Sequence, residues 1–539
     1  MLRRNFIRLF AGSAAFSWLG LRSKEAVAAD VAFDHGVASG DPLSDRLILW
    51  TRVSGVVDGR VDVRWAIAAD ANMQSVVNEG VINTGADRDF TVKVDADQLP
   101  TGQTIWYQFE VNGVKSPVGR SKTLPVGSVD AAKFAVVSCA NHPYGFFHAY
   151  REISNREDID AVVHLGDYIY EYGLGEYATE KAEELARLPD PETEVVTLED
   201  FRRRHAQYKA DADSMAMHER HPLIAIWDDH EVGNDSWRGG SLNHQPEEGQ
   251  WETRRDAAVQ AYLEWMPIRA SHHRENTRIF RRFRFGDLLS LIMLDTRFYG
   301  RDLQPDVGDE VTAESVAEAM SDPERRVLGR RQESWLRRSL TKAQDTTWQV
   351  IGQQVLVTPL RSPDLEPLLD TELPSMLSLE DVERFIELSK SNPPMLLDTW
   401  DGYPAARDDF LKDLYEFATN PVVLSGDLHT PLAGELVPWG HSKPVAVEFM
   451  TGSVTSPGFA EHLPEREPGG LRDAILELNQ NLSYLDTDRR GWMCLSVTHE
   501  TCSAEWHLLD TVHDRNYSSS VDKRLSVNAG RISEGFYAG

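Results

Sequence analysis

The apolar positions of this chain fall into two textures. Between residues 31 and 126 they alternate with polar ones. Val61, Val63, Trp65 and Ile67 form one such series, and Ile105, Tyr107, Phe109 and Val111 form another. A period of two turns one face of a strand to a core and the other to water. Residues 46–53, RLILWTRV, give a further strand, and Asn112-Gly113 after the Ile105 series is a tight-hairpin dipeptide. Several short strands in so small a space predict an antiparallel β-sandwich. Residues 117–129, rich in Pro, Gly and Ser, read as a linker.

From residue 132 the apolar runs become short and unbroken: FAVV at 134–137, AVVHL at 161–165, LIAIW at 223–227 and PVVL at 421–424. Such runs read as strands buried on both faces, as in a parallel sheet covered by helices. Stretches with helical texture lie between them, at 146–156, 198–212, 251–266, 331–341, 379–390 and 408–418. Hairpins are expected at 279–294, around Gly286-Asp287, and at 492–508, with strands at 348–357 and 446–450. This β-loop-α-β order predicts an α/β fold. The expected organisation is a leader at residues 1–29, a β-sandwich at 30–126, a catalytic α/β domain at 130–512 and a polar docked tail at 513–539.

Each unbroken run stops at a group of possible metal ligands. The first ends at Cys139 and the second at Gly166-Asp167-x-x-Tyr170. The third ends at Asp228-Asp229-His230-Glu231 with Asn234, and the fourth at Gly426-Asp427-x-His429. Parallel strands present their C-terminal ends along one edge, so residues far apart in sequence are expected to meet. Thiolate and phenolate donors suit Fe(III), whereas carboxylate and amide sets suit Ca(II), Mg(II) or Mn(II). The chain has no Cys-x-x-Cys pair, which argues against a structural zinc site. A carboxylate such as Asp167 can bridge two ions about 3.5–4 Å apart, the clamp used in phosphoryl-ester hydrolysis. Arg297, just past another strand end, is a candidate for binding phosphate or for an ordinary ion pair.

Charge strengthens that reading. The 539 residues carry a formal net charge of −29. So acidic a chain is not expected to bind nucleic acid or an anionic membrane, and an anionic substrate needs local attraction, most simply from bound cations. Three cysteines exclude a disulfide scaffold. Cys494 and Cys502 flank a hairpin turn and either pair or stay free; Cys139 is left over in both cases. The N-terminus has adjacent arginines in LRRNFI, a short apolar run and a small-residue exit, Ala26-Val27-Ala28. That is a twin-arginine export signal, cleaved near Ala28 or Ala29, and it predicts a periplasmic or secreted protein. No other stretch is apolar enough for a membrane anchor, and a monomer is expected.

Gly166-Asp167-x-x-Tyr170, Asp229-His230-Glu231 and Gly426-Asp427-x-His429 resemble motifs of the calcineurin-like and purple-acid-phosphatase metallophosphoesterases. FDHGVASGDP at 33–42, LWTR at 49–52, Ser138-Cys139, WDDHE at 227–231 and WDGYP at 400–404 more closely resemble the PhoD-type alkaline phosphatase/phosphodiesterase family. The resemblance implies a four-layer αββα catalytic domain behind the N-terminal β-sandwich. It also implies Fe(III) beside Ca(II), with Mn or Mg as substitutes for calcium. Cys139, Asp167, Tyr170 and His429 would bind iron, with Asp167 bridging. Asp229 and Asp427 would hold the divalent ion, and Asp228 and Asn234 a second calcium. His230 falls where the family places a histidine near the phosphate and leaving group. The chain departs from the wider superfamily in carrying Cys139 where Asp-x-His is usual. It also has Gly-Asp-x-His for Gly-His-x-His, and no histidine near Gln353-Gln354.

The expected function is therefore an exported alkaline phosphatase acting on phosphomonoesters and phosphodiesters. A metal-activated hydroxide would attack phosphorus, with Asp167 and His230 as the catalytic residues and His230 serving the leaving oxygen. Passage through the twin-arginine machinery in a folded state fits a protein that must receive iron before export. The alternatives are a phosphodiesterase or phospholipase D acting on lipid headgroups or wall polymers, and a surface-binding β-sandwich protein with a relict site.

Overall fold

In the computed structural model, residues 28–56, 59–270, 278–306, 312–369 and 379–538 are described. Most of the predicted leader, residues 1–27, lies outside them. Two large sheets face each other. Among the described residues the first has ten strands, and its parallel centre is Ala131–Val137, Ala161–His164 and Pro222–Ala225. The second has seven, with Leu289–Met293, Trp348–Gly352, Pro421–Ser425 and Ala446–Met450 parallel at its centre.

The unbroken apolar runs are explained by burial on both sides. Val136, Val163 and Ile224 of the first sheet share one core cluster with Leu291, Val350 and Leu424 of the second. Phe134 meets Phe285 edge to face across that cluster, with ring centroids 4.9 Å apart. Intervening residues of the second sheet, Ile292, Ile351 and Val423, turn to a separate cluster. There they pack with Leu336 and Leu340 of the helix Gly329–Ala343 and with Phe410 and Leu414 of Pro404–Phe417. The helices Leu198–Ala210, Ala212–Arg220 and Trp251–Trp265 contribute Phe201, Met217 and Tyr262 to the core of the first sheet. The result is the αββα layering that the resemblance implied.

The N-terminal region is the antiparallel strand-rich domain expected from period-two alternation. In Thr104–Val111, Ile105, Tyr107, Phe109 and Val111 are all buried, and each neighbour between them is half-buried. Asn112 and Gly113 both take positive φ, 51° and 86°, as a two-residue hairpin turn requires. One feature departs from the picture of two separate units. Val37–Gly40, Leu47–Arg52 and Thr91–Ala96 form one layer of the sandwich and also continue the ten-stranded sheet, through parallel pairing of Ser39 with Pro222 and Gly40 with Leu223.

The GDP stretch at 40–42 forms this seam. A Cβ on Gly40 would lie 2.3 Å from the Pro267 carbonyl oxygen, so only glycine fits. Asp41 is fully buried; it accepts from Arg281 Nη2 (2.6 Å), Arg281 Nε (2.7 Å) and the Arg269 backbone N–H (2.6 Å). Arg281 starts the edge strand Arg281–Phe285 of the second sheet and donates also to the Ala225 carbonyl. One carboxylate therefore ties the sandwich to both catalytic sheets.

At the C-terminus one expectation changes and one open alternative is decided. Within residues 513–539, read as a docked tail, Ser519–Asn528 is a strand that pairs along Thr501–Leu509 and extends the ten-stranded sheet. Cys494 and Cys502 are not bonded to each other. The hairpin register sets Cys494 opposite Glu505 and Cys502 opposite Val497. The two thiols are three residues out of register and on opposite faces, which a disulfide cannot span.

Candidate metal centre

Four strand ends converge, as their parallel arrangement requires. Cys139, Asp167, Asp427 and His429 all adopt left-handed backbone conformations, with φ of 61°, 53°, 64° and 60°. A non-glycine residue costs about 1–3 kcal/mol in sparsely populated backbone regions, and such residues gather at functional sites. The two Gly-Asp motifs have a packing cause. A Cβ on Gly166, at φ 113°, would sit 2.3 Å from Asp228 Cβ, and one on Gly426 would sit 2.6 Å from Ser138 Oγ. Each glycine lets the next strand end close in on it.

Three overlapping groups of ligand atoms result, each with its atoms within 4.8 Å of one another. They are Cys139, Asp167 and His429; Asp167, Asp229 and His230; and Asp228, Asp229 and Asp427. Asp167 and Asp229 each belong to two groups, so the three form one continuous centre. The Tyr170 hydroxyl donates to Asp167 Oδ2 at 3.0 Å, lies 3.0 Å from His429 Nε2 and accepts from Ser456 Oγ at 2.7 Å. His429 Nδ1 donates to the Pro457 carbonyl at 2.8 Å, which leaves Nε2 free as a ligand. Asn141 Oδ1 instead accepts from the Tyr144 backbone N–H, and the His142 ring packs on Phe147 and Tyr208. Asn234 lines the cavity in front of the centre.

The charges do not balance without cations. Asp167 Oδ1, Asp228 Oδ2 and Asp229 Oδ1 are buried and accept no hydrogen bond. Burial pushes the Asp167 carboxyl well above the usual range, and Asp229, Glu231 and Asp427 push it further. Burial likewise raises Asp427 to about 7, with Asp229 and Asp398 adding to the effect. Burial, then Asp167, holds the Cys139 thiol and the Tyr170 phenol well above their ordinary values. Polyvalent cations would relieve all of these groups at once, and loading them would release protons. The donor set fits the expected metals: thiol, phenol and imidazole on one side of Asp167, carboxylates on the other.

Arg297 is fully buried and committed to these carboxylates. It donates to Asp228, to Asp398 Oδ2 at 2.5 Å and to Asp427 Oδ1 at 3.0 Å, and lies 3.4 Å from Asp229 Oδ1. This is the ion-pair alternative rather than a free phosphate clamp. Burial would raise the Asp229 carboxyl, but Arg297 and His230 outweigh it and hold it at about 2.

Several functional groups were not singled out from the sequence. Glu171, next to Tyr170, pairs with His230 Nδ1 at 2.8 Å and accepts from the Asn234 N–H and Asn243 Nδ2, each at 2.7 Å. Burial alone would lower the His230 pKa, but Glu171, Asp229 and Asp167 outweigh it and hold it well above the ordinary histidine value. Glu231 accepts from the backbone N–H groups of Asp167, Tyr168 and Asp228, at 3.1, 2.6 and 2.7 Å, and so clamps two ligand loops together. Glu231 closes the WDDHE motif and Glu171 directly follows Tyr170, but nothing in the pattern separates a ligand from the residue that orients one. Asp398 and Ser456 come from irregular segments with no strand end to mark them.

A cavity of 470 Å³ opens over the centre, lined by Tyr172, Tyr177, Asp229, His230, Asp398 and His429 among others. The profile of the PhoD-like phosphatase family matches residues 134–506, and that of the PhoD-like phosphatase N-terminal domain matches residues 20–125. Alkaline phosphatase D of Bacillus subtilis (strain 168) is 32% identical over 541 residues, covering 95% of this chain and 85% of that protein. A solved structure of PhoD superposes with a TM-score of 0.79 at 30% identity, covering 94% of this chain and 92% of the other.

Proposed function

Because the chain belongs to the PhoD-like phosphatase family and is a phosphoric ester hydrolase, we propose that its buried cluster holds Fe(III) beside Ca(II) and hydrolyses phosphomonoesters and phosphodiesters. The observation that carries this reading is the trio of buried carboxylate oxygens on Asp167, Asp228 and Asp229 that accept no hydrogen bond. Cys139, Asp167, Tyr170 and His429 would hold iron. Asp167, Asp229 and Asp427 would hold the divalent ion, with Asp228 and Asn234 toward a further one; Mn or Mg can replace calcium. Bound there, such ions supply Lewis acidity toward a phosphoryl oxygen and acidify water.

The chain's own residues do the rest. His230 faces the cavity, and Glu171 on Nδ1 fixes its ring and favours its protonated form. A proton on Nε2 is thereby available to the leaving oxygen. Glu231 keeps Asp167 and Asp228 in register. Arg297 balances part of the carboxylate charge, opposes the rise that burial imposes on Asp228 and Asp427, and orients both. The acidic surface does not repel an anionic substrate once cations fill the centre. We further assign export of the folded protein to the twin-arginine leader, and a periplasmic or secreted location. Among the described residues no helix is long and apolar enough to cross a membrane.

The test is hydrolysis of a mono- and a bis-nitrophenyl phosphate at alkaline pH, before and after chelation. Both should be cleaved, calcium should restore what chelation removes, and Asp167→Asn should lose both activity and metal. Unchanged metal content and activity in Asp167→Asn would overturn the assignment.

A further inference from the structure

Beside the polar cavity lies a second one, of 320 Å³, with a different lining. Its wall is largely hydrocarbon: Phe385, Leu428, Phe459 and Leu463 line it, and all four belong to or pack against one core cluster. The two cavities share Tyr177, Leu396, Asp427 and His429. The second therefore begins at groups assigned to the metal centre and runs away from them into apolar surroundings. Leu396 is 40% exposed between them. The Tyr177 ring stacks with His230 at 6.4 Å and with His462 at 5.9 Å, so an aromatic face lines the passage from the acid residue to the second cavity.

We propose that this cavity binds the apolar substituent of the phosphate ester, so that the enzyme selects esters of apolar alcohols over those of polyhydroxy alcohols. The inference rests on the metal-centre reading, which puts phosphorus in front of Asp229 and His230. From there an alkyl or aryl group passes Tyr177 and Leu396 and leaves water. A glycerol or sugar alcohol in the same place buries hydroxyls against a wall that offers them few partners beyond His462 and the groups shared with the metal centre. The size suits such a group, because ligand pockets begin at roughly 300 Å³.

The experiment uses the metal-loaded enzyme and n-alkyl phosphates from ethyl to hexyl, with glycerol phosphate as the polar control, and measures phosphate release. The expected kcat/KM rises about fourfold per added methylene, the size set by transfer of one CH₂ from water. Glycerol phosphate should be no better than ethyl phosphate. Phe385→Ser should flatten the ladder. Should that variant misfold, inhibition of the wild-type enzyme decides: hexyl- or benzylphosphonate should bind at least tenfold tighter than ethylphosphonate, and the better of the two tells chain from ring. A flat ladder with normal turnover, or equal inhibition by all three phosphonates, overturns this inference alone. No phosphate release from any ester overturns the reading of the metal centre instead.

Discussion

Glu171→Gln tests the acid role proposed for His230. The substitution keeps the shape of the side chain, and its remaining oxygen can still accept from the Asn234 N–H and Asn243 Nδ2. What it removes is the negative charge 2.8 Å from His230 Nδ1. A hydrogen bond between charged, buried partners contributes about 1.5–3 kcal/mol, so the loss corresponds to roughly ten- to hundredfold in rate where protonated His230 is required. The sign follows from the raised pKa. Burial lowers it, and Glu171 is the largest of the groups that raise it. Without Glu171 the imidazole loses its proton at lower pH, so the alkaline limb of the kcat/KM profile moves to lower pH and the acidic side keeps more activity. The assay is that profile on two substrates, p-nitrophenyl phosphate and an alkyl phosphate. Nitrophenolate leaves without help, whereas an alkoxide needs a proton, so the alkyl ester should suffer at least tenfold more. Equal losses on both, or an unmoved alkaline limb, would refute the role given to the Glu171–His230 pair.

Three further outcomes are expected. Gly166→Ala sets a Cβ 2.3 Å from Asp228 Cβ at φ 113°; it should cost about 2–4 kcal/mol in chemical denaturation and lower metal content, and a wild-type midpoint would contradict the packing argument. Asp41→Asn leaves Arg281 without its buried partner and should destabilise by about 3 kcal/mol while the folded fraction keeps its turnover; a neutral effect would mean that the seam between the sandwich and the catalytic sheets does not depend on this pair. Replacing Arg3 and Arg4 by lysine should leave the enzyme in the cytoplasm, as cell fractionation would show, whereas undiminished export would refute the twin-arginine route.

Much of the site is legible in the sequence because of one physical regularity. A strand buried on both faces is written as an unbroken apolar run, and its abrupt end at Gly-Asp, Ser-Cys or Asp-Asp marks the edge where parallel strands deliver side chains. Cys139, Asp167, Asp229 and Asp427 all sit at such ends. Features without that punctuation stay hidden. Asp398 and Ser456 reach the centre from irregular segments. The role of Glu231 lies in three backbone N–H groups on two loops, which no spacing reveals. The sandwich looked separable because its Val61 and Ile105 series alternate cleanly, but the pairing of Ser39 with Pro222 joins sequence-distant strands. The hairpin holding Cys494 and Cys502 was visible, while its register, which keeps the thiols apart, depends on where the turn falls.

The central claim is that Cys139 and Tyr170 make one end of this centre an iron site. Elemental analysis with the visible spectrum of the purified enzyme tests it most directly, because phenolate bound to Fe(III) absorbs visible light. The wild-type protein should contain iron and be coloured. Tyr170→Phe should bleach or shift the band while iron is retained, and Cys139→Ser should weaken iron binding. A colourless, iron-free enzyme that hydrolyses phosphate esters at full rate would contradict the account.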